Sequence, residues 1–194
     1  MSGNRPTIPT APAFPIEGDG VVIDRLVPGD AEAFAAYRSD PGVARYQSWS
    51  VPYPVAAALD LIESAAVEEP FTPSSWVQLA VRADVGGPLL GDVYVACPDD
   101  EPGSAELGVT IAPAAQGHGL ATRALRAVLA EVLAKGSGIG IVHAYVHAEN
   151  AASLALFDRL GLRRDGTTPD PSADGSYGED VVFTTTRSEW GGLA

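Results

Sequence analysis

Glu106 is the residue from which chemistry could start. It lies in Ala105–Ile111, where Ala105, Leu107, Val109 and Ile111 alternate with Glu106, Gly108 and Thr110. The two-residue period of a strand puts one carboxylate and one hydroxyl on one face and the aliphatics on the other. A lone acid on a strand that otherwise reads as buried is suited to accept a proton. The alternative is a surface carboxylate paired with Arg or Lys on a neighbouring strand. Pro113 ends the ladder, and Gln116-Gly117-His118-Gly119 leads into Leu120, Ala124, Leu125, Val128, Leu129, Val132 and Leu133 at helical spacing. Gly136 sits where a left-handed helix stop is expected. A glycine-bearing junction of this kind presents unpaired backbone N–H groups at the positive end of a helix dipole, a cradle for a diphosphate. The Gly-Lys-Ser/Thr of a triphosphate loop is absent, and only Gly117 and Gly119 fall in the loop, so the usual dinucleotide fingerprint is absent too. An ordinary strand-to-helix turn would have the same pattern.

A second constellation follows downstream: Asn150-Ala-Ala-Ser153, then Leu156-Phe157, then Leu160-Gly161-Leu162. Asn150 can cap the N–H groups two or three residues on, and Ser153 falls at the third helical position, so capping alone would account for both. His143 and His147 are four apart, the spacing of a metal pair on a helix. They belong, however, to the alternation Ile139, Ile141, His143, Tyr145, His147 of a strand, where four residues span about 13 Å, so no metal site is expected. Cys97 is the only cysteine, which excludes an intrachain disulfide, a cysteine-based zinc site and a CxxC redox pair. No Gly-x-Ser-x-Gly nucleophile elbow occurs.

The elements that must position these residues suit one domain, because 194 residues give one α/β core and too little for two. Residues 1–19, with prolines at 6, 9, 12 and 15, read as a flexible tail ahead of a domain over 20–190. Val21–Leu26 is a first strand. Asp30 can cap a helix from Ala31 to about Arg38, and Val43–Pro54 is irregular and carries Tyr46, Trp49 and Tyr53. Pro54 starts a second helix, Ser75–Arg82 and Leu89–Cys97 form a hairpin, and the central strand, loop and helix come next. Ile139–His147 is a strand, Asn150–Leu160 a helix, Leu162–Arg164 a short strand, Asp165–Asp180 a polar loop and Val181–Arg187 the last strand. The expected class is α+β: a mostly antiparallel mixed sheet with a central βαβα portion and four flanking helices.

The formal charge of −13 argues against nucleic acid or an anionic membrane as partner, since both need Lys/Arg clusters, and fits a cationic acceptor; acidity that serves only solubility is the alternative. No segment approaches the ~20 apolar residues of a membrane span, and the N-terminus lacks the apolar core of a secretory signal, so a cytoplasmic protein is expected. A monomer and a homodimer both remain open.

The order of these parts, with Gln116-x-x-Gly119-x-Ala121 and then Asn150-x-x-Ser153 opening a helix that ends in Leu-Gly-Leu, resembles the core of the GNAT superfamily of N-acetyltransferases. It is most similar to the branch that acetylates the N-terminal alanine or serine of ribosomal proteins. The resemblance spans roughly residues 21–190, with its specific motifs in 106–162. It implies that acetyl-CoA is the co-substrate. Backbone groups of Val109 and Ile111 would grip the pantetheine arm, Gln116, Gly117, His118, Gly119, Leu120, Ala121 and Thr122 would hold the pyrophosphate, and Asn150 would bind the pantetheine amide. Glu106 matches the position of a base that deprotonates the acceptor ammonium, directly or through water, which an amine needs before it can attack a thioester. Phe157 stands beside the cofactor where many relatives carry a tyrosine that protonates the departing thiolate; in the resembling branch a serine matching Ser153 is assigned that role. Loops equivalent to Arg45–Tyr53 and Asp165–Asp180 wall the amine site in relatives, which makes Tyr46, Trp49 and Tyr53 candidates for substrate contact. The run Arg45-Tyr46-Gln47-Ser48-Trp49 also looks like a segment of aminoglycoside acetyltransferases. The implied activity is direct acetyl transfer to a primary amine, on a small cation such as an aminoglycoside-like amine or on a protein or peptide N-terminus. A catalytically silent acyl-CoA-binding or regulatory domain of the same fold is the alternative.

Overall fold

The computed structural model describes residues 13–171 and 177–191. Among these, eight strands form one sheet: β1 (Ile16–Gly18), β2 (Val21–Arg25), β3 (Trp76–Arg82), β4 (Gly91–Ala96), β5 (Ser104–Ile111), β6 (Ile141–His147), β7 (Arg163–Pro171) and β8 (Tyr177–Thr186). Their order is β1-β2-β3-β4-β5-β6-β8-β7, antiparallel throughout except for β5 and β6. The helices are α1 (Ala31–Arg38), α2 (Pro41–Ala44), α3 (Val55–Ala66), α4 (Leu120–Val132), α5 (Ala151–Leu160) and α6 (Arg187–Trp190). None of the described helices is long and apolar enough to cross a membrane. The expected α+β layout is the observed one, with two short helices beyond the expected four.

One face of the sheet is apolar along the strands and fully covered, and the other is covered in part. Val77, Leu79, Val93, Val95, Leu107, Val142, Ala144 and Phe183 point to one face, where the apolar stripe of α4 and Leu156, Phe157 and Leu160 of α5 pack on them. On the other face Ala80 lies under Phe34 and Tyr37 of α1 and Ala58 and Ile62 of α3. Burying each such large aliphatic or aromatic side chain stabilises the fold by roughly 1.5–3 kcal/mol. Farther along that second face, Tyr94, Glu106 and Tyr145 line a pocket instead.

Three differences from the sequence reading have physical causes. β1, inside the stretch read as a tail, pairs with β2 and buries Ile16 against the core; residues 1–12 of that stretch lie outside the described residues. α4 stops at Val132, ahead of the position implied by Gly136 as its stop; Gly136 has φ +105° and shapes the following turn. The polar loop expected over 165–180 is in large part a hairpin: β7 runs to Pro171 and β8 starts at Tyr177. An outermost strand with water on both sides needs no apolar alternation, so its composition conceals it. The remaining residues of that stretch, 172–176, lie outside the described residues.

Candidate active site

The site forms where β5 and β6 part. Their ladder runs Ser104↔Ile141, Ala105↔Val142, Glu106↔His143 and then ends, while β5 continues to Ile111 and β6 to His147. From Leu107 onward β5 is therefore hydrogen-bonded only to β4, and its other edge faces a gap. An open strand edge accepts an extended amide-bearing ligand as it would another strand.

A cleft of about 730 Å³ opens from this gap and is lined by Val109 and Ile111, by the loop residues Gln116, Gly117 and Gly119, and by the first turn of α4, Leu120 to Thr122. Gly117 (φ +79°) and Gly119 (φ +71°) hold left-handed conformations that an L residue adopts at a cost of about 1–2 kcal/mol. Gly119 occupies the N-cap of α4, and no side chain among the described residues caps that end. The N–H groups of the first turn are thus left to an anion, and the site fits the pyrophosphate of CoA. Gln116 is in the loop, but its side chain donates to the carbonyl of Ile111 at 2.9 Å, so it braces the loop against β5. Arg123 Nη1 donates to the carbonyl of His118 at 2.8 Å, while the His118 side chain is exposed and outside the cleft lining.

A second pocket of about 440 Å³ lies on the other side of the gap. Tyr46, Gln47, Val109, Thr110, Asn150 and Ser153 line both spaces, which makes these residues the junction. Asn150 accepts from the Ser153 N–H at 3.2 Å, so its carbonyl caps α5 and its NH₂ is left for a ligand. Phe157 is buried against Phe183, ring centroids 5.4 Å apart, and reaches the second pocket from beneath. It is a core ring and does not line the cofactor cleft.

Glu106 lies on the floor of the second pocket with Tyr94 and Tyr145. Burial pushes its carboxyl above the usual range; His143 pulls it down and Asp180 pushes it up. Burial likewise raises the Tyr94 and Tyr145 hydroxyls, and the negative charge of Glu106 adds to both. Tyr46 stacks on His147 at 5.0 Å, joining the α2–α3 loop to the end of β6. Trp49 lines the pocket and donates from Nε1 to the Arg38 carbonyl at 3.0 Å. Tyr53 does not line the pocket: it packs edge-on against Phe34, and the Arg38 guanidinium lies 5.4 Å from its ring. In the 165–180 stretch, Asp165 is ion-paired with Arg163 and Glu179 accepts from Thr167 at 2.7 Å, and neither lines the pocket.

One supporting group is absent from the sequence reading. Asp92, fully buried on β4, accepts from the Tyr37 hydroxyl, from Arg38 at 3.1 Å and from the Gln78 amide. Burial pushes the Asp92 carboxyl up, opposed by Arg38 and by these hydrogen bonds. Arg38 in turn lies 4.1 Å from the ring centroids of both Phe34 and Trp49. The aromatic wall of the pocket is thus pinned through Arg38 to the sheet. Each partner is an ordinary residue in its own segment, and only the pairing of Ala80 with Asp92 under α1 brings them together.

A parted parallel strand pair, a glycine-bound helix start and a carboxylate-floored pocket meeting at one junction define a protein that holds an acyl-CoA thioester against a second substrate. Residues 21–163 match the acetyltransferase (GNAT) domain family, and the chain belongs to that family. It is an acetyl-CoA-dependent acyltransferase. Solved structures similar to it include an acetyltransferase from T. thermophilus, described as putative (25% identity, TM-score 0.76, 93% of this chain and 94% of that one). RimJ from Mycobacterium smegmatis in complex with CoA-disulfide is similar at 20% identity and TM-score 0.73, over 87% of this chain and 83% of that one. Spermidine N-acetyltransferase from Vibrio cholerae in complex with CoA and spermine is similar at 18% identity and TM-score 0.74, over 88% and 98%. No curated protein sequence matches the chain.

Proposed function

We propose that this enzyme transfers the acetyl group of acetyl-CoA directly to the primary amine of a small cation with an apolar or ring-bearing body. The observation that carries the reading is the pocket behind the junction, where a half-buried carboxylate lies on a floor with Tyr94 and Tyr145 beside a wall containing Tyr46 and Trp49. Aromatic faces and one anion suit an alkylammonium, since ring faces and a carboxylate both attract a cation. The Arg38 charge does not oppose it, because Asp92 neutralises it.

The pantetheine arm lies along the open edge of β5 at Val109 and Ile111, with the pyrophosphate on the loop and first turn from Gly117 to Thr122. The thioester then reaches the junction. Glu106 takes one proton from the ammonium, directly or through water, and the freed nitrogen attacks the thioester carbonyl. As the C–S bond breaks, the Ser153 hydroxyl gives its proton to the thiolate and takes up the second nitrogen proton, giving amide and CoA. The remaining proton leaves Glu106 for solvent. Burial favours this assignment, because a carboxyl raised toward neutrality is a stronger base when ionised. A peptide N-terminus is the second reading, favoured by the similarity to RimJ and to a structure described as a putative ribosomal-protein-serine acetyltransferase from Vibrio cholerae. Either activity fits a cytoplasmic enzyme.

Release of CoA from acetyl-CoA, measured with spermidine, tyramine, an aminoglycoside and peptides beginning in Ala or Ser, tests the proposal. Turnover is expected with the small cations and at most weakly with the peptides. Preference for the peptides would select the second reading, and acetyl-CoA binding without turnover of any amine would select a silent acyl-CoA-binding domain.

A further inference from the structure

His143 is the residue opposite Glu106 at the last rung before β5 and β6 diverge. Paired residues of a parallel ladder project from the same face, on strands about 4.8 Å apart. The imidazole is held at both nitrogens: Nδ1 lies 3.1 Å from Oγ1 of Thr184, a fully buried residue of β8, and Nε2 lies 3.2 Å from Oε1 of Glu101 in the turn before β5. The His143 side chain is only 14% exposed, whereas that of Glu101 is 54% exposed. Packing alone would need neither hydrogen bond and would not place a carboxylate on the ring.

The charged and titratable groups around His143 come from every neighbouring element. They are Glu101 from the turn, Glu106 on β5, Tyr145 two residues along β6, Thr184 on β8, and Arg163 with Asp165 on β7; Asp180 on β8 stands opposite His147 and acts on Glu106. Arg163 is already bound to Asp165. Of the other acids, Glu101 is bonded to the ring and Glu106 stands opposite it on the ladder.

We propose that His143 is the counter-ion of Glu106: its imidazolium, locked between Glu101 and Thr184, holds the adjacent carboxyl ionised and so keeps it able to accept a proton. The proposal rests on the reading of Glu106 as the base. His143 is a positioning residue here, since it lines neither the cofactor cleft nor the acceptor pocket. Its positive charge acts against burial, which favours the protonated carboxyl of Glu106. The sign is fixed by Coulomb's law: a nearby cation favours the carboxylate, so its removal moves Glu106 titration to higher pH, and the acidic limb of any activity that needs the carboxylate moves to higher pH with it.

The experiment follows the Glu106 carboxyl carbon by NMR in glutamate-labelled protein without acceptor, the resonance being assigned by its absence in Glu106→Gln. His143→Gln is expected to move the Glu106 midpoint upward, while His143→Lys, which restores a positive charge at the same position, keeps it at or below the wild-type value. In the wild-type chain, the ring nitrogens of His143 should respond at the pH where Glu106 titrates, a readout that depends on no variant. An unchanged midpoint in folded His143→Gln, or His143 ring nitrogens silent across the Glu106 transition, overturns the proposal. Glu106→Gln assayed beside them separates the two ideas. A shifted midpoint with full activity in Glu106→Gln leaves the ion pair standing and removes the base, and an unshifted midpoint with an inactive Glu106→Gln does the reverse.

Discussion

The cofactor cleft presents main chain where the acceptor pocket presents side chains, and each material suits what it binds. Pantetheine and pyrophosphate carry amides and anionic oxygens, which the open edge of β5 and the uncapped start of α4 can bind with backbone groups. On the proposed reading the amine must be told apart from other amines and deprotonated, and the rings and carboxylate available for this come from the α2–α3 loop, β4, β5 and β6. A main-chain site depends on where glycines stand and tolerates change in most side chains around it. A side-chain site fails one residue at a time.

The largest effect is expected on the cofactor side. Gly119→Glu places a side chain on a left-handed residue and a negative charge at the mouth of the helix, and detectable acetyl-CoA binding should disappear in calorimetry of the folded variant. Unchanged affinity would move the cofactor to another part of the molecule. On the acceptor side, Asp92→Ala strips Arg38 of its buried partner and should lower stability to denaturant by about 3–5 kcal/mol, with acetyl-CoA affinity retained in the fraction that folds. A loss below about 1 kcal/mol would mean that the wall stands without this ion pair. Ser153→Ala, at the junction, should lower kcat by on the order of tenfold and leave acetyl-CoA affinity nearly unchanged. Equal losses in both would reduce Ser153 to part of the helix start.

The same contrast explains what the sequence discloses. The cofactor side occupies contiguous segments in which spacing carries meaning: alternation up to Pro113, glycines at 117 and 119, and Asn150 three residues ahead of Ser153. Even there some roles differ, since the side chain of Gln116 braces Ile111 and His118 stays outside the cleft lining. The acceptor side is discontinuous. Trp49 and Tyr46 are visible as aromatics, but nothing in the local sequence distinguishes them from Tyr53, which joins the core. Asp92, Arg38 and Gln78 are separated by 14 to 54 residues, and strand register alone brings them together. The β7–β8 hairpin is hidden because a strand at a sheet edge, wet on both faces, keeps no period-two signature. His143 illustrates the same limit, because its spacing from His147 argues only against a metal and its partner Glu106 is set by the β5–β6 ladder.

The most direct measurement is the pH dependence of kcat/KM for wild type and Glu106→Gln with one amine acceptor, taken from acid to the acceptor's own pKa. Burial raises Glu106, so the acidic limb of the wild-type curve should lie above the ordinary carboxylate range. Glu106→Gln should be slower by about 10²-fold at neutral pH, with acetyl-CoA affinity unchanged. Its deficit should shrink as rising pH supplies neutral amine from solution. Parallel curves, with the same deficit at every pH, would contradict the assignment of Glu106 as the base and leave it a structural carboxylate.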